Sequence, residues 1–253
     1  MSKYYLSVGA MFKNEALILK EWIQHYLHHG VEHFYLINDN SNDNFLEIIQ
    51  EYIDQNIITL FNVNEPYYLG RQRNLYNRCI LPNISETQWL LMCDIDEYIW
   101  SPKEINLGDV LINHCEGLAQ IQIREFLFGS NGHITQPKCI VKEFTKRRLD
   151  NFENKKYKYI VNSSYAFSSL NIHDAEFINK NYINDIEKFM LIKPDYFVNN
   201  HYCCQSQDYW NNIKCTRGDS DNFLTRLPSH FEDVDKNEIE DLQLYNQNLQ
   251  LFT

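Results

Sequence analysis

Two carboxylates one residue apart, in Asp94-Ile95-Asp96, follow directly on the apolar run Trp89-Leu90-Leu91-Met92-Cys93. Hard oxygen ligands of this kind suit Mg²⁺ or Mn²⁺, ions that keep part of their water and bridge to substrate phosphates. Glu97 adds a third negative charge beside the pair. A solvated acidic turn would carry the same tripeptide, but its place at the end of a buried strand favours the metal-binding reading. A phosphatase of the haloacid type also sets two aspartates after a strand. There they follow the first strand and need a downstream lysine, whereas this pair follows the fourth predicted strand.

Those carboxylates need a frame, and the hydrophobic pattern supplies one. Tyr4 to Ala10 reads as a buried strand, and Leu19, Trp22, Ile23, Tyr26 and Leu27 recur at helical spacing over 15–29, with Gly30 as the stop. Phe34 to Ile37 is a second strand, a helix carries Phe45, Leu46, Ile48, Ile49, Tyr52 and Ile53, and Ile57 to Phe61 is a third strand. Arg71 to Leu81 is predicted as a helix stopped by Pro82, and Trp89 to Cys93 as a fourth strand. Strands alternating with helices imply βαβ units and a parallel, Rossmann-like sheet covered on both faces: an α/β fold. Ligands of such sheets bind beyond the carboxyl ends of the strands. Lys13-Asn14-Glu15, Asn38-Asp39-Asn40-Ser41 and Asp94-Ile95-Asp96-Glu97 all fall at those ends.

After residue 115 the pattern changes. Ala119 to Ile123 alternates like a half-exposed strand, and Ile140-Val141 and Tyr159-Ile160-Val161 sit in further strand-like runs. The stretch from Lys142 to Lys158 is basic around Lys146-Arg147-Arg148, and reads as a solvated loop. The expected partition is one domain over 1–253, with a ligand-binding half in 1–115 and a variable half in 116–253 that ends in a helical tail.

Lys and Arg total 23 against 34 Asp and Glu, a formal charge of −11 over 253 residues, which disfavours duplex nucleic acid or an anionic membrane as partner. No apolar run approaches the roughly 18–20 residues of a membrane span. Met1 to Gly9 reads as no secretory leader, so a cytoplasmic location is expected. Seven scattered cysteines fit a reducing compartment, and Cys203-Cys204 reads as free thiols rather than a zinc pair.

Taken together, the ordered blocks resemble a family. Phe12-Lys13-Asn14-Glu15, Glu21-Trp22, Gly30 to Leu36 and Asp39-Asn40-Ser41-Asn42-Asp43 resemble the opening of the family-2-like and family-92-like glycosyltransferases. Asp94 to Glu97 is similar to their metal-binding motif. Phe128 to His133, Lys158 to Val161, His173 and Asn200-His201-Tyr202 resemble later signatures. The resemblance spans about 4–220. It implies a mostly parallel glycosyltransferase type A fold whose first half binds a nucleotide sugar, commonly UDP-linked. The implied reaction moves a sugar, expected to be a hexose, to a glycan or other hydroxylated acceptor with Mn²⁺ or Mg²⁺.

On that resemblance Asp96 is a metal ligand, and Asp94 binds metal or the ribose. Asn14, Glu15, Asn38, Asp39, Arg73 and Lys158 fall where the family holds the nucleotide. Asn38 or Asp39 would meet the uracil N3–H, and Arg73 a phosphate at a helix start. His173 or His201 would complete the metal site, while His25, His28 and His29 read as a helix face. An inverting transfer needs a carboxylate base, for which Glu125, Asp174 and Asp219 are the candidates. A retaining transfer would need none. The rival reading is a binding module on the same fold that transfers nothing.

Overall fold

In the computed structural model, residues 2–149, 156–179, 190–193, 195–216 and 226–252 are described. Strand β1 (Tyr4–Phe12) leads into α1 (Ala16–His28), and then come β2 (His33–Asp39), α2 (Phe45–Asp54) and β3 (Ile58–Val63). Helix α3 (Arg71–Leu75) precedes β4 (Thr87–Met92), β5 (Glu97–Trp100), α4 (Leu107–His114) and β6 (Gln120–Leu127). After α5 (Ile140–Glu143) come β7 (Lys146–Arg147), β8 (Tyr157–Asn162), β9 (Phe167–Leu170), β10 (Ala175–Phe177), β11 (Met190–Ile192) and β12 (Val198–His201).

The main sheet has nine strands in the order β3-β2-β1-β4-β8-β6-β12-β5, with β11 also on β6. Its first four strands pair in parallel. Beyond them β8 runs antiparallel to both β4 and β6, β12 is parallel to β6, and β5 closes the edge antiparallel to β12. The expected α/β fold with a mostly parallel sheet is therefore present, and the sheet draws strands from both halves of the chain.

Alternation along the strands explains why both faces are covered. Leu6, Val8 and Ala10, Phe34 and Leu36, Trp89 and Leu91 face one core, where Leu19, Trp22, Ile23 and Tyr26 of α1 pack. Tyr35 and Ile37, Leu90 and Met92, Tyr159 and Val161 face the other, against Leu75, Tyr76 and Ile80. Gly9 permits that second approach: a Cβ there would lie 2.5 Å from Met92 Sδ and 3.1 Å from Ile80 Cδ1. Gly30 ends α1 at φ 87° with Asn106 Oδ1 only 2.3 Å from where a Cβ would stand, so the C-terminal stop is also a packing requirement.

Two local expectations are corrected. The helix predicted to run to Leu81 is α-helical only over Arg71–Leu75, continues as a π-helix over Tyr76–Ile80, and passes into a 3₁₀ helix over Leu81–Glu86. Pro82 lies at the start of that last segment, where its missing N–H is harmless. Ile140-Val141 belongs to a helical turn rather than a strand. The Glu21 carboxylate accepts both of its leading amides, from Ile140 N at 2.6 Å and Val141 N at 3.0 Å.

The α1 histidines lie on a helix face that is turned inward at His25 and His29, both of which are buried. His25 Nε2 lies 2.9 Å from Ile99 O and its Nδ1 lies 3.0 Å from Asn248 Nδ2. His29 joins Ile105 O at 2.8 Å and Asn248 Oδ1 at 2.9 Å, so α1 anchors the end of the chain. The neutral tautomer of His25 satisfies both of its contacts, and burial holds the imidazole well below its ordinary value. A histidine depressed in the folded state stabilises above its unfolded value of about 6.5 and loses that contribution as pH falls. Between pH 7.5 and 5.5 the wild type should therefore lose more unfolding free energy than His25→Gln does. Urea denaturation at the two pH values checks this, and equal losses would contradict it.

The seven cysteines are free thiols, Cys203 and Cys204 among them. Among the described residues no helix is long and apolar enough to cross a membrane.

Candidate active site

The acidic triplet leaves β4 in a tight turn. Glu97 N donates to Asp94 O at 3.1 Å and Asp94 N donates to Glu97 Oε2 at 2.9 Å. This turn drops Ile95 into the core at 2% exposure and leaves Asp94 and Asp96 on either side of it. Sheet register then brings distant residues to them. On β12, His201 pairs with Glu97 of β5 on one side and with Leu127 of β6 on the other, while Asn199 pairs with Glu125. On β8, Tyr159 pairs with Met92, so the preceding Lys158 lies level with the end of β4.

Every carboxylate of the triplet has a cation. Asp94 Oδ2 stands 2.6 Å from Lys158 Nζ, and its Oδ1 accepts from Gln72 Nε2 at 2.9 Å. Lys158 Nζ also lies 3.5 Å from Glu97 Oε2. Asp96 Oδ2 stands 2.5 Å from Lys214 Nζ, and its Oδ1 lies 3.6 Å from His201 Nε2. His201 turns its other nitrogen, Nδ1, to Glu125 Oε2 at 2.7 Å.

The electrostatics follow from burial and these neighbours. Burial would raise the Asp96 carboxyl, but Lys214 and His201 outweigh it and hold the group well below the usual range. Asp94 is likewise lowered against its burial, chiefly by Lys158. Glu97 is fully buried, and its carboxyl is pushed up to about 7 because burial and Asp94 exceed what Lys158 and His201 recover. Burial would depress His201, yet Asp96 and Glu125 carry it well above its ordinary value. Lys158 is raised against its burial by Asp94 and Glu97.

The donor set suits a divalent cation. Two ligands of one small ion stand roughly 3–4 Å apart when each lies about 2 Å from it. The 3.6 Å between Asp96 Oδ1 and His201 Nε2 meets that requirement. Metal-ligating histidines give their second nitrogen to a carboxylate, as Nδ1 of His201 does to Glu125. A second arrangement uses Glu97, Glu125 and His201, whose ligand atoms lie within 4.8 Å of one another. Glu97 Oε1 is buried there without a hydrogen-bond partner. The first set leaves the His201–Glu125 bond intact, whereas the second draws Glu125 itself into coordination.

The other candidates are distributed around this centre. Asn14 Oδ1 accepts from Asn42 N at 2.9 Å and Asn14 N donates to Ser41 Oγ at 3.0 Å, tying the loops after β1 and β2 together. Buried Glu15 accepts from the hydroxyl of Tyr209. Asn38 is committed at both ends, donating to Asn62 Oδ1 at 2.9 Å and accepting from Ser41 N at 2.9 Å. Asp39 is gripped by Arg71, whose Nε donates at 2.8 Å and whose second nitrogen lies at 2.6 Å.

Arg71 is the buried member of the arginine pair at 1% exposure, while the Arg73 side chain is 53% exposed and reaches Ser169 Oγ and Glu176. His173 is exposed on the β9–β10 turn, with Nδ1 2.9 Å from Tyr157 O, and Asp174 Oδ1 accepts from Asn171 Nδ2 in the same turn. Neither is hydrogen-bonded or ion-paired with Asp94, Asp96 or His201 among the described contacts. Asp219 lies outside the described residues.

Lys214, Gln72 and Tyr209 were not anticipated. Lys214 is 118 residues from its partner Asp96, on the π-helical turn Trp210–Lys214, and no motif marks it. Gln72 was within reach of sequence reasoning, since it lies between two arginines at a helix start.

The Glycosyltransferase family 92 model matches residues 2–243. A family 92 protein of Ricinus communis is 28% identical over 147 residues, 53% of this chain and 25% of that relative. One from Oryza sativa subsp. japonica is 25% identical over 135 residues, 53% of this chain and 23% of the relative. The chain thus spans about a quarter of the length of these curated relatives. Among solved structures, S. aureus TarS 1-349 in complex with UDP-GlcNAc aligns over 97% of this chain and 73% of its own. The identity is 14% and the TM-score 0.48. Glucosyl-3-phosphoglycerate synthase from Mycobacterium tuberculosis, in complex with Mn²⁺, UDP and glucosyl-3-phosphoglycerate, aligns over 78% and 72%, at 12% identity and TM-score 0.39. With the match running almost end to end, the chain belongs to glycosyltransferase family 92.

Proposed function

We propose that this chain transfers a sugar from a UDP-linked donor to a hydroxyl of a glycan or similar acceptor, with a divalent cation, Mn²⁺ or Mg²⁺, held by Asp96 and His201. One observation carries the reading: the 3.6 Å gap between Asp96 Oδ1 and His201 Nε2, with His201 Nδ1 already committed to Glu125. Membership of a glycosyltransferase family supports the reaction class.

Breaking the glycosidic bond leaves negative charge on the departing diphosphate, and fixed positive charge aimed at it lowers the barrier. A bound divalent cation would supply Lewis-acid stabilisation of that diphosphate. The protein's own residues do the rest. Glu125 accepts from Nδ1 of His201 and fixes the ring, so that Nε2 would offer its lone pair once an incoming ion displaces the proton it shares with Asp96. Lys158 keeps Asp94 ionised and in place, free to accept from a ribose hydroxyl on its exposed edge. Arg71 holds Asp39 at the end of β2, where its carboxylate can accept from the uracil N3–H. We further propose a hexose delivered with inversion, which the anomeric configuration of the product decides.

Isothermal titration of UDP with and without Mn²⁺ tests the reading. Binding should tighten at least about tenfold with the ion, which corresponds to about 1.4 kcal/mol. Equal affinity in both conditions would contradict the metal assignment. UDP binding without donor hydrolysis or transfer, across a panel of donors and acceptors, would favour a binding module over an enzyme.

A further inference from the structure

We infer that Lys214 is a built-in competitor for the divalent cation, occupying the Asp96 carboxylate until metal and nucleotide arrive together. The inference rests on the metal reading above and goes beyond it by assigning a role to a residue outside every sequence block.

The geometry is direct. Lys214 is 5% exposed, and its ammonium stands 2.5 Å from Asp96 Oδ2. The ring of Tyr209 lies 5.7 Å from Nζ, and the Cys203 thiol is close enough to feel its charge. Tyr209 is itself held by Glu15, so the Lys214 turn is fastened to the loop after β1. The turn is π-helical, a widened geometry that recurs at functional sites.

Charge decides what this ammonium does. An ion about 2 Å from Asp96 Oδ1 would stand only about 5 Å from Lys214 Nζ, and like charges that close in a buried site repel strongly. Lys214 therefore weakens the grip of Asp96 and His201 on a bare cation. A nucleoside diphosphate changes the balance, because its oxygens offer the displaced ammonium a new partner. Metal and nucleotide then bind with positive coupling, and by linkage each tightens the other equally. Such coupling keeps the site from filling with metal before donor is present.

The test measures Mn²⁺ affinity by electron paramagnetic resonance titration in the wild type, Lys214→Met and Lys214→Arg, each with and without UDP. Without nucleotide, Lys214→Met should bind Mn²⁺ about tenfold more tightly than the wild type, and Lys214→Arg should stay near wild type. UDP should tighten Mn²⁺ binding strongly in the wild type and much less in Lys214→Met. Unchanged or weaker Mn²⁺ affinity in Lys214→Met would overturn the inference while leaving the metal reading intact. Failure of all three proteins to bind Mn²⁺ while still binding UDP would overturn both. Thermal denaturation without metal confirms that the variants are folded, since methionine fills a similar volume.

Discussion

Asp96→Asn should lower kcat/KM for transfer by at least about 10³-fold, the scale seen when one preorganised stabiliser of developing charge is removed. Asparagine keeps the shape but supplies a neutral amide where the proposed ion would need an anionic oxygen. The loss should fall on kcat and on Mn²⁺ affinity together, while UDP binding without metal changes little. The substitution has a structural cost as well. Lys214 and His201 both face Asp96; removing its charge takes the ion-pair partner from buried Lys214 and leaves His201 with Glu125 and Glu97. Unpairing a buried charge typically costs about 3–5 kcal/mol. Kinetics are therefore compared well below the melting temperature, and the double variant Asp96→Asn/Lys214→Met should recover stability without recovering activity. An Asp96→Asn enzyme with activity within tenfold of wild type would remove Asp96 from the chemistry.

The second large effect is on stability. Lys158 is 4% exposed in its side chain and stands between Asp94 at 2.6 Å and Glu97 at 3.5 Å. Lys158→Met leaves two neighbouring carboxylates inside the protein without their shared cation. A loss of about 3–5 kcal/mol is expected near pH 8, a fall in melting temperature of roughly 10 °C for a chain of this size.

The pH dependence gives that prediction its sign. Glu97 already has its carboxyl raised to about 7 in the folded state. An acid raised on folding binds its proton more readily in the native state, so its contribution is favourable at low pH and is lost as pH rises through the folded value. Removing Lys158 raises Glu97 further and extends that window upward. The destabilisation of Lys158→Met should therefore be clearly smaller at pH 5.5 than at pH 8. Differential scanning calorimetry at the two values reads it, and an equal loss at both would show that the pair of carboxylates does not govern the effect.

Much of the frame was legible because its causes are local. Alternating apolar residues in β1, β2 and β4, helical spacing in α1 and α2, and Gly30 as a stop required only near neighbours. Parallel pairing followed from the alternation of strand and helix. It predicted correctly that residues 13–15, 38–41 and 94–97 close the ends of β1, β2 and β4, as the register of those strands requires. The Asp-Ile-Asp step was visible for the same reason.

The contacts that complete the centre were not legible, since they depend on register between strands far apart in sequence. Glu125 and His201 are 76 residues apart, Lys158 and Asp94 are 64 apart, and each meets its partner only through the β4-β8-β6-β12-β5 order. The arginines illustrate the same limit at short range. The family resemblance pointed to Arg73 as a phosphate contact, while the inward turn of Arg71 to Asp39 and the outward turn of Arg73 to Glu176 depend on how α3 packs. Ile140-Val141 misled because two buried apolar residues fit a strand or a helical turn equally well. The capping carboxylate of Glu21, 119 residues away from Ile140, decides between them.

Anomalous diffraction at the manganese edge, from crystals grown with Mn²⁺ and UDP, tests the central claim most directly. The account predicts one peak within about 2.5 Å of both an Asp96 carboxylate oxygen and His201 Nε2, touching the nucleotide's diphosphate, with the His201–Glu125 bond intact. A peak held instead by Glu97, Glu125 and His201 Nδ1, or well-ordered UDP with no manganese peak, would contradict it.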